Sequence, residues 1–284
     1  MPYVTFMHKG EPRLGIVRGD EIHPLQARAG TMMDYIALSR PERKALETKK
    51  PVPFKGAHLL APIHPCKNVF AVGRNYKGHA EEIARARGIE LKLPKVPTFF
   101  TKASTAIADP GQVLHLSAAV SPEYDWEAEL AVVIGKRCRD VPKEKALSVV
   151  FGYMCLNDVT ARDLQREHGQ WFKGKSLDET CPIGPWIVGV GELSNPGSLA
   201  ISLRLNGETK QHANTNELIF DVPTIIESLS RGMTLEPGDV IATGTPDGVG
   251  FARTPPEFLK DGDVMEVEIE RIGILRNTVS IKGS

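Results

Sequence analysis

One stretch restricts the possible folds more than any other: Asp125-Trp126-Glu127-Ala128-Glu129-Leu130-Ala131-Val132-Val133-Ile134-Gly135. Its second half is apolar and β-branched, and a turn residue closes it, which predicts a β-strand. Side chains alternate between the faces of a strand, so Glu127 and Glu129 point the same way. Two carboxylates that close repel each other unless a positive charge lies between them. A hard divalent cation, which takes oxygen ligands, meets that need. Water meets it equally well if the pair lies on the solvated face of a half-buried strand.

Several functional classes are excluded early. Lys+Arg and Asp+Glu each number 35, and no long stretch is strongly basic, which argues against nucleic acid or an anionic membrane as partner. No apolar run approaches the roughly 20 residues that span a bilayer. The opening Met1–Phe6 segment lacks the charged-then-apolar design of a secretory signal. Cys66, Cys138, Cys155 and Cys181 are scattered, without a Cys-x-x-Cys pair. Together these features predict a cytoplasmic protein with reduced cysteines.

The 284 residues suit one large domain with a small appendage. Residues 1–62 read as a small N-terminal α+β domain: strands near Tyr3–Met7, Arg13–Arg18 and Glu21–His23, then helices near Thr31–Ser39 and Pro41–Thr48. Pro51–Pro53 and Pro62–Pro65 read as linker. Residues 63–284 form the second domain. Strands are predicted at 68–73, 97–102, 153–157, 201–205, 208–211, 240–243, 264–269 and 275–281. Helices are predicted around His79, over Pro142–Val150, from a Thr160–Asp163 capping box, and from Asp221 to Gly232. Strands outnumber helices without regular alternation, so a mixed α/β, mainly β core follows.

Two apparent motifs carry no function. Gly169–Ser176 matches the P-loop pattern literally, but Gln170, Trp171 and Phe172 fill the loop, and Pro182 and Pro185 follow. Gly244–Gly250 is Gly-rich but has the wrong spacing for a dinucleotide fingerprint. Other residues carry chemistry. Asp158 ends a strand and, joined to Glu127 and Glu129, completes an oxygen site suited to Mg²⁺; otherwise it caps a turn. His79 and Glu82, spaced i, i+3, are within reach of each other, and a His oriented by a carboxylate is a good general base. Arg162 and Gln165 share the same spacing and suit an oxygen-rich substrate, or else belong to a surface ion pair. Lys175 suits an enolate, or is simply solvated.

Taken in order, these residues resemble the fumarylacetoacetate hydrolase family. The resemblance rests on Gly73-Arg74-Asn75-Tyr76…His79…Glu82, Phe100-Thr101-Lys102, Asp125–Leu130, Asn157–Gln165, Gly174-Lys175-Ser176…Pro185, Ser230–Asp239 and Gly244–Gly250. It covers residues 68–284, and the first 60 or so resemble the variable N-terminal domain of bacterial members. It implies a mixed β-sandwich roll, usually a homodimer. It implies Mg²⁺, or Mn²⁺ or Ca²⁺, on Glu127, Glu129 and Asp158, in the smaller branch with three carboxylates. A His79–Glu82 dyad on a mobile lid then activates water, and Lys175 stabilises enolate charge. Arg74, Lys102, Arg162, Gln165 and Thr245 fall where the family contacts substrate.

The implied substrate is a small keto acid, and three reactions share one enolate. The leading expectation is hydrolysis of a C–C bond in an acylpyruvate-like acid. The alternatives are decarboxylation of the oxaloacetate type and isomerisation of a 2-hydroxyhepta-2,4-diene-1,7-dioate-type diacid.

Overall fold

The computed structural model describes residues 1–48 and 50–283. A 12-stranded sheet forms the body. Its main path runs Val52–Pro53, Glu21–Pro24, Glu11–Arg18, Pro2–His8, Cys181–Gly189, Val150–Asn157, Ala128–Ile134, Val240–Ala242, Val69–Gly73 and Thr98–Lys102. A 5-stranded sheet runs Glu208–Asn214, Ala200–Leu205, Val264–Ile269, Gly273–Lys282 and Val113–Ser117. Pairing is mostly antiparallel; Val240–Ala242 with Val69–Gly73, Gly273–Lys282 with Val113–Ser117 and Cys181–Gly189 with Ile107–Ala108 are parallel. This is the mixed, mainly β architecture expected.

The central strand Ala128–Ile134 is buried along its whole length. One face, with Leu130 and Val132, packs on Ile201, Leu203 and Val267 of the smaller sheet. The other, with Ala131 and Val133, packs on Met154, Val240 and Ala242 and reaches Ile16, Met32 and Ile36 of the N-terminal region. A strand covered on both faces reads as a continuous apolar run. Each fully buried Leu or Val side chain contributes about 1.5–3 kcal/mol. Burial leaves no open solvated face for the two glutamates, which are 5% and 1% exposed.

The N-terminal region extends the main sheet directly. Pro2 pairs with Val188 and Tyr3 with Ile187. The expected linker at 51–53 instead supplies a short edge strand, with Val52 opposite Ile22; an edge tolerates proline because one side needs no N–H. The 142–150 segment is a 3₁₀ helix, Lys143–Val149. The Thr160–Asp163 capping box does not form. Thr160 and Ala161 pair with Asp125 and Tyr124, the Thr160 hydroxyl donates to the Asp158 carbonyl, and the helix Arg162–Glu167 starts without a side-chain cap. At Asp221 the cap does form: its carboxylate accepts from the Thr224 N–H at 2.9 Å. The four cysteines are free thiols, two of them buried. No described helix is long and apolar enough to cross a membrane.

Candidate active site

Strand register builds the floor of the site. Ala128 pairs with Asn157 and Glu129 with Leu156, so the chain just before the one strand meets the chain just after the other. The Asp158 N–H donates to the Glu127 carbonyl at 2.8 Å. Glu127, Glu129 and Asp158 therefore converge, with one carboxylate oxygen from each within 4.8 Å of the others, and all three are buried.

Buried cations hold this cluster. Lys175 Nζ donates to Glu127 Oε2 at 2.6 Å and to Asp158 Oδ2 at 2.7 Å. Lys102 Nζ donates to the other Asp158 oxygen at 2.6 Å. Arg162 bonds Glu127 at 2.7 Å through Nη1 and Asp125 at 2.8 Å through Nε. Four buried carboxylates thus face three buried cations. The shortfall falls on Glu129, which receives the Gly244 N–H at 2.7 Å and, among the described residues, no ion pair. Burial, then Asp158 and then Glu127, push its carboxyl well above the usual range. Burial pushes Glu127 the same way, but Lys175 and Arg162 outweigh it and hold that carboxyl at about 2. Burial alone would lower the Lys175 ammonium, yet Asp158 and Glu127 hold it raised. Three hard oxygen donors, one of them short of positive charge, fit a divalent cation.

The roof is the helix Lys77–Arg87. His79 Nδ1 lies 2.6 Å from Glu82 Oε1, and both residues are buried. The other Glu82 oxygen accepts from the Gly248 N–H at 2.8 Å, which ties the helix to the Gly244–Gly250 loop. A Cβ on Gly78 would collide with the Asp247 carboxylate. At the root of the helix, Arg74 takes φ 55 and Asn75 is fully buried. Asn75 Nδ2 donates to the Phe220 and Thr243 carbonyls at 3.0 and 2.8 Å, and its Oδ1 accepts from the Phe220 N–H at 2.8 Å.

Floor and roof enclose a cavity of about 50 Å³. Arg74, His79, Glu127, Glu129, Arg162, Gln165, Lys175 and Thr245 all contribute to its wall. Three sequence-predicted residues stand behind it. Glu82 backs His79, Asp158 lies beneath Lys175, and Lys102 grips Asp158 and the Val159 carbonyl.

Sequence reading passed over several residues that shape this cavity. Asp125 accepts from the Gly250 and Phe251 N–H groups as well as from Arg162. Gln211 ties the Ala128 N–H to the Thr245 hydroxyl and the Pro246 carbonyl. As one residue of an alternating hairpin, it gives no signal. Trp171, part of the P-loop look-alike, packs edge-on to Phe100 and under the Arg74 guanidinium, 5.7 Å from its ring centre. The element before it is the helix Arg162–Glu167, not a strand, and Lys175 is committed to carboxylates, so nothing there cradles phosphate.

Known proteins resemble the chain over nearly its whole length. The sequence profile described as Fumarylacetoacetate (FAA) hydrolase C-terminal matches residues 68–280, and one described as Rv2993c-like, N-terminal matches residues 1–62. Oxaloacetate tautomerase YisK of Bacillus subtilis is 46% identical over 222 residues, 78% of this chain and 72% of that protein. The solved structure of a fumarylacetoacetate hydrolase from psychrophilic Exiguobacterium antarcticum superposes with a TM-score of 0.87, at 40% identity, over 99% of this chain and 100% of that one. Maleylpyruvate hydrolase from Sphingobium sp. SYK-6, in complex with manganese(II) ion and pyruvate, gives a TM-score of 0.81 at 32% identity, covering 100% of both chains.

Proposed function

The chain belongs to the fumarylacetoacetate hydrolase family, and from that premise we propose that it is a divalent-cation-dependent enzyme that interconverts the keto and enol forms of a small 2-oxo diacid of the oxaloacetate type. The observation that carries this reading is a buried, carboxylate-oriented histidine set across one small cavity from a buried carboxylate cluster.

Glu127, Glu129 and Asp158 would hold Mg²⁺ or Mn²⁺. When bound, the cation supplies Lewis-acid polarisation of the 2-oxo group. The chain's own residues do the rest. Glu82 accepts from His79 Nδ1, which leaves the Nε2 lone pair free as a base. Nε2 takes a proton from the carbon beside the 2-oxo group, and the electron pair moves to the oxygen. Returning that proton to oxygen rather than carbon completes the tautomerisation. The Lys175 ammonium, raised and buried at the floor, opposes the developing negative charge. Arg162 and Gln165, joined at 3.2 Å, orient a substrate carboxylate. The roof helix keeps bulk water from the enol.

The same dyad favours a second reading, hydrolysis of a C–C bond, in which Nε2 takes its proton from water. The similarity to a maleylpyruvate hydrolase supports it. Enol absorbance separates the two. With Mg²⁺ or Mn²⁺ the protein is expected to speed equilibration of oxaloacetate, chelator to abolish this, and added cation to restore it. Cleavage of acylpyruvates without any effect on oxaloacetate would give the site to hydrolysis instead. Inactivity toward both would overturn the enolate reading.

A further inference from the structure

The cavity above the floor has a neighbour. A second space of about 130 Å³ is lined by Ala86, Arg87, Arg162, Gln165, Arg166 and Phe251. Four of these, Arg87, Arg162, Gln165 and Phe251, also line the first cavity, so the two adjoin. The wall they share carries two arginines, Arg87 and Arg162.

Arg162 is the clearest sign. It is buried, its guanidinium lies 4.5 Å from the centre of the Phe251 ring, and Nε and Nη1 are committed to Asp125, Glu127 and Gln165. Nη2 is buried and has no partner among the described residues. Unpaired buried donors are rare in native structures, and each calls for an explanation. Arg87 is the second sign. It is an exposed residue that lines both spaces and has no carboxylate partner among the described residues, and partial burial and then the charges of Arg74, Arg162 and Arg166 lower its pKa. Of these neighbours, Arg166 is already bound through both terminal nitrogens to Glu123, at 2.7 and 3.0 Å. Arg74 stacks on Trp171. Arg87 and the free nitrogen of Arg162 therefore remain as donors.

Helix geometry connects this wall to the base. His79, Ile83 and Arg87 follow one another at i, i+4 and i+8, one stripe of the helix, and all three line the first cavity. One helix face thus presents a base, an apolar spacer and a cation to the same space.

We propose that Arg87, with Arg162 Nη2 and Gln165, seats the distal carboxylate of a diacid substrate, and that filling this seat holds the roof helix down with His79 in place. Arg87 is then the residue that selects diacids over monoacids. The proposal deepens the diacid reading above and rests on it. A guanidinium suits the task because its fork meets a carboxylate through two N–H groups.

The test uses the full chain loaded with Mg²⁺ and two probe pairs. L-malate and lactate, which differ by the distal carboxylate, are titrated calorimetrically. Oxaloacetate and acetylpyruvate are compared by steady-state enol absorbance. Wild type is expected to bind malate roughly 10–100-fold more tightly than lactate, and R87Q to erase the preference, with R87K restoring part of it. The oxaloacetate-to-acetylpyruvate ratio of kcat/KM should fall by a similar factor in R87Q, mostly through KM. Equal losses for monoacid and diacid, or no change in either pair, would overturn the proposal by making Arg87 structural or idle. If malate selectivity depends on Arg87 while oxaloacetate is not turned over, the seat stands and the tautomerase reading fails. If oxaloacetate is turned over while R87Q binds malate and lactate as wild type does, the seat fails alone.

Discussion

The floor and the roof of the site are built on opposite principles. The floor lies on two adjacent central strands, where register alone brings Glu127 beside Asp158, and buried lysines and an arginine fix these two carboxylates from several sides. The roof is a single helix, followed by residues 88–97 without regular structure, and tied to the loop below by the Glu82–Gly248 bond. Rigid elements place charge accurately, whereas elements with few ties are those that open. On the reading proposed above, a floor that holds a cation and a roof that admits and releases an acid would need these different constructions.

Breaking the floor should have the largest effect. Glu129→Gln removes the proposed ligand least supplied with positive charge and is expected to abolish turnover, by roughly 10⁴-fold or more, and to weaken Mg²⁺ binding at least 100-fold by calorimetry. Retained cation affinity would show that the carboxylate cluster is not the metal site. His79→Ala tests the roof separately. A general base typically contributes about 10²–10⁴-fold, and the loss should appear in kcat while cation affinity stays within about twofold of wild type. If this variant also lost the cation, floor and roof would not be the separate parts described here. Asn75→Ala acts on the anchorage of the roof. It deletes three hydrogen bonds and leaves the Phe220 N–H and two carbonyls unpaired, so a loss of about 2–3 kcal/mol in unfolding free energy is expected, measured by denaturant titration. A loss below about 0.5 kcal/mol would mean that other contacts hold the root of the helix.

The same contrast explains how much could be read from the chain. The floor was legible because its residues are close in sequence to strong strand signals: Glu127 and Glu129 open the Ala128–Ile134 run, and Asp158 closes Val150–Asn157. What the pattern could not supply was their depth. Glu-x-Glu looks the same on a solvated face as in a sheet covered on both sides, and only the packing of the second sheet decides. The dyad was legible from i, i+3 spacing, but its burial depends on the Gly248 N–H, far away in sequence. Lys102 shows the reverse: its motif suggested substrate contact, and packing turned it toward Asp158. Gln211 and Arg87 gave no local signal, since each depends on elements brought together only in the fold. The Thr160 capping pattern failed for a related reason, because pairing with Tyr124–Asp125 took those residues into a strand first.

The floor without its cation should respond to pH, by no more than one proton's worth per pH unit. Glu129, with an ordinary value of 4.5, is pushed well above it by burial and then by Asp158 and Glu127. A carboxyl raised in the folded state binds more protons folded than unfolded, so metal-free stability should fall as pH rises above about 4.5 toward the raised value. Glu127, held at about 2, is ionised throughout this window in the folded protein and adds little to the slope. One proton limits the slope to about 1.4 kcal/mol per pH unit. Cation binding needs the Glu129 carboxylate ionised and so releases the same proton, which makes Mg²⁺ affinity rise with pH over the same window. Denaturant midpoints at pH 5, 6, 7 and 8, with chelator and with Mg²⁺, measure both trends, and Glu129→Gln isolates the residue because its metal-free protein should lose this slope. A wild-type slope no different from that of Glu129→Gln would mean that the fold already neutralises Glu129, and that the floor does not need a cation to complete it.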